Sequence, residues 1–236
     1  MTELRHTTGD SLELENRFAS RAAHMKPSEI RSLFAVASRP EIVSLAGGMP
    51  NLSALPMDTM AEVVRELVAT NGTEALQYGS GQGHPVLREQ ICEVMALEGI
   101  RANPDDVIVT TGSQQALDLI SRIFLDPGDV VLVEAPSYVG ALGTFHQYEG
   151  RVVHVAMDND GLIPDALREA IKVTRAAGHK IKFLYLIPNY QNPAGVLLSS
   201  DRRTEILEIC RDASIFVIED NPYGLLGFDK PSPNAM

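Results

Sequence analysis

Four apolar runs from Val107 onward each end in polar or aromatic residues. They read VIVTTGSQQA from Val107, VVLVEAPSY from Val130, FLYLIPNYQNPAG from Phe183 and FVIEDNPY from Phe216. Runs of this kind are typical of buried strands that end in a loop or at the start of a helix. In open α/β sheets, ligands bind beyond the carboxyl ends of the strands. The candidate binding residues at these ends are therefore Ser113, Tyr138, Asn192 and Asp220, with Tyr223 just beyond.

The segment Thr111-Gly112-Ser113-Gln114 could bind an anion. It begins a predicted helix at the end of a strand, where free backbone N–H groups and the helix dipole favour a phosphate. Gly112 lets the backbone approach a ligand closely, and Ser113 adds a hydroxyl donor. The alternative is an ordinary helix cap, since serine is a preferred capping residue. Tyr138 also has two interpretations, because an aromatic ring at a strand end can stack on a planar ligand or pack into the core.

The ordered set of motifs resembles a known family. TGSQQALD, EAPSY, PNYQNPAG and EDNPY, in this order and spacing, are similar to the fold-type I pyridoxal-phosphate (PLP) aminotransferases of class I/II. The similarity is greatest to the branch that includes the aminoadipate and kynurenine transaminases, and LAGGMP at 45–50 and YGSGQGHPVL at 78–87 fit that branch. Each motif alone is weak, whereas the ordered set, from about residue 25 to residue 228, is highly specific. The resemblance implies a three-layer α/β fold: a mostly parallel sheet flanked by helices, which is the PLP-transferase large domain truncated at its C-terminus, with an N-terminal arm.

The resemblance gives the residues after the last three strands roles around the PLP ring. A carboxylate at Asp220, beside the pyridine nitrogen, would favour the protonated ring and make it a better electron sink. Asn192 and Tyr223 would donate hydrogen bonds to the phenolic oxygen, and Tyr138 would stack on the ring. Taken alone, Asp220 is an ordinary loop acid, Asn192 a turn residue before a proline, and Tyr223 a half-buried loop tyrosine.

The resemblance places the cofactor phosphate at Ser113 and Gln114. It also implies that Tyr78 reaches across a homodimer interface to the phosphate of the neighbouring subunit's cofactor. The alternative is a turn tyrosine that packs locally. The glycine-rich segment around Tyr78 is not a P-loop, because it follows no strand and lacks lysine. The implied substrate mouth, where a tight loop is the alternative for the glycines, comprises Gly47, Gly48 and Asn192.

An aminotransferase also needs a lysine that forms the Schiff base with PLP and moves a proton between substrate and cofactor. In the family this lysine lies some way past the Asp-Asn-Pro-Tyr motif. The only lysine after Asp220 is Lys230, in a predicted turn, and we assign no catalytic residue. Lys172, Lys180 and Lys182 precede the motif and are predicted to be solvated surface charges. The arginines that pair with the phosphate and the substrate carboxylate are also missing, so we expect a truncated product or fragment that is catalytically defective alone.

Strand and helix patterns alternate from Val107 onward, which implies a mostly parallel sheet with both faces covered. The predicted strands are Val107–Thr110, Val130–Glu134, Val152–Val155, Phe183–Ile187 and Ile215–Ile218. The predicted helices between and before them include Pro56–Ala69, Pro85–Leu97, Ser113–Phe124, Ser137–Tyr148, Pro164–Ala177 and Ser200–Arg211. We expect residues 1–45 to form an N-terminal arm and part of a small domain, and residues 46–236 to form an incomplete PLP-binding large domain.

Composition restricts the classes of function. The 236 residues include 20 Lys and Arg and 31 Asp and Glu, which gives a net charge of −11. An acidic chain with no basic run argues against nucleic acid and anionic membranes, and no apolar run approaches the roughly 18 residues of a membrane span. The N-terminus has no apolar signal core. Cys92 and Cys210 are expected to fill the core in a reducing cytoplasm, and no His or Cys pair has the spacing of metal ligands.

The predicted activity is PLP-dependent transamination between an α-amino acid and a 2-oxo acid. The main alternative is a non-catalytic aminotransferase-like remnant, or a ligand-binding or dimerising domain. An aminotransferase-like effector domain of a regulator would carry a helix-turn-helix, and none is visible in residues 1–40. A Rossmann dehydrogenase would carry G-x-G-x-x-G after its first strand, and residues 79–83 have neither the context nor the spacing. The sequence leaves acidic, aromatic and branched substrates open.

Overall fold

The computed structural model describes residues 17–24, 39, 41–43, 52–228 and 231–236. The chain divides into two compact units. The first, here called the sheet unit, takes its described residues from the ranges 1–26, 94–101 and 110–236, and the second, here called the helical unit, takes its described residues from the ranges 27–93 and 102–109. Gly47, Gly48 and Lys230, which were singled out in the sequence, lie outside the described residues.

The sheet unit is built on five strands in the order β3-β2-β1-β4-β5. They are β1 (Val130–Ala135), β2 (Arg151–Asp158), β3 (Gly161–Leu162), β4 (Ile181–Leu186) and β5 (Phe216–Glu219). β1 pairs in parallel with β2 and β4, and β4 pairs in parallel with β5. The two-residue β3 pairs antiparallel with β2. The sheet is therefore mostly parallel, as the sequence predicts.

Six α-helices lie within the described ranges. They are α1 (Met57–Ala75), α2 (Pro85–Ala96), α3 (Ser113–Phe124), α4 (Val139–Gln147), α5 (Pro164–Ala176) and α6 (Ser200–Asp212). Short 3-10 helices occupy Ser20–His24, Leu52–Ala54 and Pro104–Asp106. In the helical unit, five apolar side chains of α1 are 49% to 60% exposed; they are Met60, Val63, Val64, Leu67 and Val68.

Alternate residues of the central strands face two separate apolar clusters, as the period of a strand requires. On one face, strand residues such as Leu132 pack with Leu167 of α5 and Ile206 of α6. On the other face, strand residues such as Val133 pack with Leu117 of α3 and Phe145 of α4. Helices thus cover both faces of the sheet, which confirms the three-layer α/β fold.

The prediction of a strand at Val107–Thr110 is wrong. Val107 is extended, with φ −97° and ψ 130°, but no described strand pairs with this segment. The Val109 N–H instead donates to the Gln82 carbonyl at 2.8 Å. Branched apolar residues suit an extended backbone, yet a strand also needs a neighbouring ladder to accept its hydrogen bonds. Conversely, β3 is present in the structure but was not predicted, because a strand of two residues is too short to show a pattern in the sequence.

No described helix is both long enough and apolar enough to cross a membrane. Among the residues that the structure describes, no group of three or more His, Cys, Asp or Glu side chains could hold a metal ion. Both cysteines are free thiols. Cys210 is buried in the cluster that packs on α5 and α6, whereas Cys92 is half-buried.

Candidate functional site

The strand order creates a topological switch point between β1 and β4. From β1 the chain continues to β2 on one side, whereas β4 and β5 lie on the other side. Ligands of open α/β sheets bind in the crevice outside the carboxyl ends of the strands at such a point. The loop after β1 carries Tyr138, the loop after β4 carries Asn192, and Asp220 follows β5 directly. Three residues from distant parts of the sequence are thus brought to one edge of the sheet.

The start of α3 is open for an anion. Gly112 occupies the N-cap position with φ 75°, a left-handed conformation that favours glycine. Ser113 is the first helical residue, with its side chain exposed, and it makes no capping hydrogen bond. The alternative of a serine N-cap is therefore wrong. The Thr111 N–H donates to the Gln115 side-chain oxygen and the Gln115 N–H to the Gly112 carbonyl, whereas the N–H groups of Ser113 and Gln114 have no acceptor among the described residues.

Gln114 joins the start of α3 to α4. Its side-chain amide donates to the Thr144 hydroxyl, and that hydroxyl donates to the Gly140 carbonyl at 3.0 Å. The side chain of Gln114 is therefore already bound, and its backbone N–H is the group that remains for a ligand. The same contact joins the second half of α4, the helix that directly follows Tyr138, to the first turn of α3.

The Tyr138 ring lies over Gly140. Tyr138 is half-buried at the N-terminus of α4, and its ring packs against the cluster formed by α3, α4 and the sheet. A Cβ at Gly140 would lie only 2.4 Å from Tyr138 Cζ. A glycine is thus needed at this position for the ring to fold back over the helix.

Glu134 ties the loop after β1 to the loop after β4. The residue is 1% exposed, and its Oε2 accepts the Ile187 N–H at 2.9 Å and the Gln191 side-chain amide at 3.3 Å. Gln191 also donates to the Pro136 carbonyl at 2.7 Å and accepts the Ala194 N–H at 2.9 Å. Burial raises the pKa of the Glu134 carboxyl from 4.5 to about 7, against the lowering effect of its two hydrogen bonds. Sequence reasoning missed this residue, although an acid that ends the apolar run VVLVEA is a visible signal.

Tyr185 holds Asp220. Tyr185 is fully buried in β4, and its hydroxyl donates to Asp220 Oδ2 at 2.6 Å. The Asp220 N–H donates to the Leu186 carbonyl at 2.9 Å, which extends the ladder between β4 and β5 by one bond. Burial, and after it the hydrogen bond to Asp220, raise the pKa of the Tyr185 phenol far above its ordinary value. The sequence signal for Tyr185 is only a tyrosine inside the apolar run FLYLI.

A buried arginine connects the loops after β4 and β5. Arg203 of α6 donates to the Pro188 carbonyl at 3.2 Å and to Asn189 Oδ1 at 2.7 Å. The Asn189 amide donates to Asn221 Oδ1 at 2.9 Å, and Asn221 donates to Glu98 Oε1 at 2.7 Å. This chain of hydrogen bonds fixes the residues that precede Asn192 and follow Asp220. Nothing in the sequence alone indicates it.

The other sequence-predicted residues differ in how the structure places them. Asn192 and Tyr223 are half-buried in the loops after β4 and β5, and their side chains make no hydrogen bond to any other described residue. Tyr78 lies in the helical unit, between α1 and α2, and is 100% exposed. Gly47 and Gly48 fall outside the described residues.

The mostly parallel sheet, its switch point and the polar loops there define an α/β fold of the class that binds ligands at the carboxyl edge of its sheet. Residues 40–236 match the family described as aminotransferase class I and II. The chain belongs to that family, which confirms the resemblance drawn from the motifs.

Similar proteins of known sequence or structure are also named as aminotransferases. The chain is 39% identical over 219 residues to aromatic-amino-acid aminotransferase 1 of Thermococcus litoralis, across 92% of this chain and 52% of that protein. It is 38% identical over 217 residues to 2-aminoadipate transaminase of Thermus thermophilus, with the same coverage of 92% and 52%. A crystal structure of Pyrococcus horikoshii kynurenine aminotransferase in complex with PMP superposes with a TM-score of 0.86 at 38% identity, over 94% of this chain and 55% of that chain. The chain thus spans about half the length of these relatives.

Proposed function

We propose that this chain forms the cofactor-binding part of a PLP-dependent aminotransferase, which transfers nitrogen from an α-amino acid to a 2-oxo acid. The observation that carries the proposal is the Asp220 carboxylate, which follows β5 at the carboxyl edge of the sheet and is held by the Tyr185 hydroxyl. A fixed carboxylate in this position is suited to keep a proton on a pyridine nitrogen. Membership of the aminotransferase family supports the reaction class.

The first turn of α3 fits the cofactor phosphate. A 12-residue helix presents its first N–H groups and the positive end of its dipole there, and both favour an anion. A Cβ built at Gly112 meets no atom within 4 Å, so the approach to these amides is open. We assign the contacts to the backbone and hydroxyl of Ser113 and to the backbone N–H of Gln114.

The loops after the strands fit the cofactor ring. Tyr138 would cover one face of the ring and exclude water from it. The side chains of Asn192 and Tyr223 donate to no other residue that the structure describes, and they would hydrogen-bond the phenolic oxygen and fix the tilt of the ring. Asp220 would hold a proton at the ring nitrogen. When bound, PLP supplies an electron-accepting ring that stabilises negative charge developing on the substrate carbon.

None of the described lysines lies among these residues. Lys182 is at the opposite, amino-terminal end of β4, where it pairs with Asp129 at 3.0 Å. Lys172 is exposed on α5 and pairs with Glu169 at 3.4 Å. Lys180 precedes β4. Lys26 and Lys230 lie outside the described residues. We propose that the 236-residue chain binds PLP without covalent attachment and is catalytically defective by itself.

We also propose that the protein acts as a cytoplasmic homodimer, with an arm and part of a small domain in residues 1–45 and the large domain in residues 46–236. In the dimer, Tyr78 of one subunit would bind the phosphate held by the other. The complete exposure of Tyr78 supports this role, because a tyrosine that packed locally would be covered. Asn192, with Gly47 and Gly48, would form the substrate mouth.

PLP binding tests the proposal directly. We expect PLP to bind the purified chain, as followed by its absorbance, and to bind Asp220→Asn at least tenfold more weakly. The matched control is Asp118→Asn, which removes an aspartate that is likewise hydrogen-bonded to a tyrosine, at 2.9 Å, on α3. Borohydride reduction followed by intact mass should show no stoichiometric adduct. An adduct at a single lysine would contradict noncovalent binding, and no binding at all would overturn the proposed function.

A further inference from the structure

We propose that Tyr185 is a positioning residue for the cofactor: its hydroxyl holds one oxygen of Asp220 and thereby aims the other oxygen at the ring nitrogen. The proposal rests on the function proposed above, because it concerns the same bound ring. Tyr185 would act on the cofactor through Asp220 and would not itself touch the ligand.

The Tyr185 ring is packed into the core of the sheet unit. It is fully buried in β4, and its centroid lies 5.5 Å from that of Phe145 at an interplanar angle of 73°. Edge-to-face packing of this kind is favourable for aromatic pairs. The hydroxyl position is therefore set by the core of the sheet unit rather than by the loop that it contacts.

The hydroxyl is the group that orients Asp220. The distance of 2.6 Å to Oδ2 is in the range of charge-assisted O–H···O⁻ bonds, and an ionised carboxylate can only accept. Within the described part of the chain, no other side chain hydrogen-bonds Asp220. Its N–H is fixed by the Leu186 carbonyl at 2.9 Å. The backbone and Oδ2 are thus held, while Oδ1 is left for a ligand.

A purely structural role would not require this hydroxyl. Phenylalanine would fill the same apolar position and would avoid burying a polar group, which is costly unless it is hydrogen-bonded. Two effects of the hydroxyl on the ring nitrogen have opposite signs. Orientation of Asp220 favours the protonated ring, whereas withdrawal of charge from the carboxylate disfavours it. Asp220 is only half-buried, so without Tyr185 it would turn towards water, and we infer that orientation dominates.

The test compares Tyr185→Phe with the wild-type chain and with Tyr148→Phe. Tyr148 is a matched control, since its hydroxyl also donates to an aspartate, Asp118, at a distance of 2.9 Å. Neither residue belongs to the proposed ring site. The probe is pyridoxamine 5′-phosphate labelled with ¹⁵N in the ring, and the readouts are its dissociation constant and the ¹⁵N titration of the bound ring. We expect about tenfold weaker binding to Tyr185→Phe. We also expect the ring nitrogen to lose its proton about one pH unit lower in this variant.

Each outcome bears on the proposal. If wild type binds and Tyr185→Phe matches it in both affinity and titration, the positioning role is overturned while the proposed function stands. If the ring nitrogen bound to Tyr185→Phe loses its proton at a higher pH than the one bound to wild type, the positioning role is also overturned. Withdrawal of charge from the carboxylate would then be the dominant effect of the hydroxyl. If wild type does not bind the probe, the proposed function and this inference fall together.

The hydrogen bond itself can be tested without cofactor, which keeps the proposal testable should Tyr185→Phe fail to fold. We expect a slowly exchanging tyrosine hydroxyl proton in the wild-type NMR spectrum that shifts in Asp220→Asn and is unchanged in Asp118→Asn. A signal that is indifferent to Asp220→Asn would overturn the proposal.

Discussion

Replacing Glu134 with glutamine should remove a pH dependence from the stability of the sheet unit. Glutamine has the shape of the protonated acid, and its side-chain oxygen can accept the same N–H groups, those of Ile187 and Gln191. The variant therefore keeps the contacts between the loops and removes only the ionisation. The expected change in stability comes from the difference in pKa between the folded and unfolded chain.

The sign follows from where the proton is held. The carboxyl has an ordinary pKa of 4.5, and burial raises it to about 7 in the folded protein. Between these values the folded chain keeps a proton that the unfolded chain has lost, so stability falls as pH rises, by about 1.4 kcal/mol per pH unit. The stability contributed by the neutral acid is thus fully present below about pH 4.5 and is lost by about pH 7. The total loss is roughly 3 kcal/mol.

Urea unfolding of wild type and Glu134→Gln at about pH 5 and about pH 8 measures this loss. The variant's second amide proton can be left without a partner, at a cost of about 1 kcal/mol that is the same at both pH values. We therefore subtract the free energy of unfolding of wild type from that of the variant at each pH. This difference should be roughly 3 kcal/mol larger at the higher pH than at the lower pH. Glu208→Gln, an exposed change on α6, is the control for a general effect of removing an acid.

Parallel stability curves for wild type and Glu134→Gln would refute this reasoning. They would mean that Glu134 carries its charge in the folded protein at no cost, and that the buried contact with Gln191 is that of an ordinary carboxylate.

Two further substitutions test the supports of the site. Gly140→Ala puts a Cβ 2.4 Å from Tyr138 Cζ, so we expect weaker PLP binding by absorbance titration, whereas Gly143→Ala, where a Cβ meets no atom within 4 Å, should leave binding unchanged. Unchanged binding by Gly140→Ala would show that the Tyr138 ring does not contact the cofactor. Arg203→Met leaves buried acceptors without donors and should cost about 2–4 kcal/mol in urea unfolding, whereas exposed Arg211→Met should cost under about 1 kcal/mol. Equal losses for the two arginines would contradict the assigned network.

The sequence predicts the elements where local signals agree with tertiary structure. Ser113–Phe124 is observed with the predicted bounds, because Gly112 marks its start and its apolar residues repeat at helical spacing. The prediction for Val107–Thr110 fails because strand composition does not reveal whether a partner strand is present. The residues that we propose to contact the cofactor are visible in motifs. Glu134 and Tyr185 are not, since their partners lie 53 and 35 residues away and become neighbours only through the sheet order.

The sheet supports the proposed site from both of its faces. By the alternation of β1, Glu134 lies on the same face as Leu132, towards α5 and α6, and from there it holds the loops after β1 and β4. Tyr185 lies on the opposite face, in the cluster that packs on α3 and α4, and it holds the residue after β5. The loops after β1 and β4 are thus held from one face of the sheet, and the residue after β5 is held from the other. A planar ligand whose ring nitrogen and ring face are met by different loops requires that each of these loops is held in place.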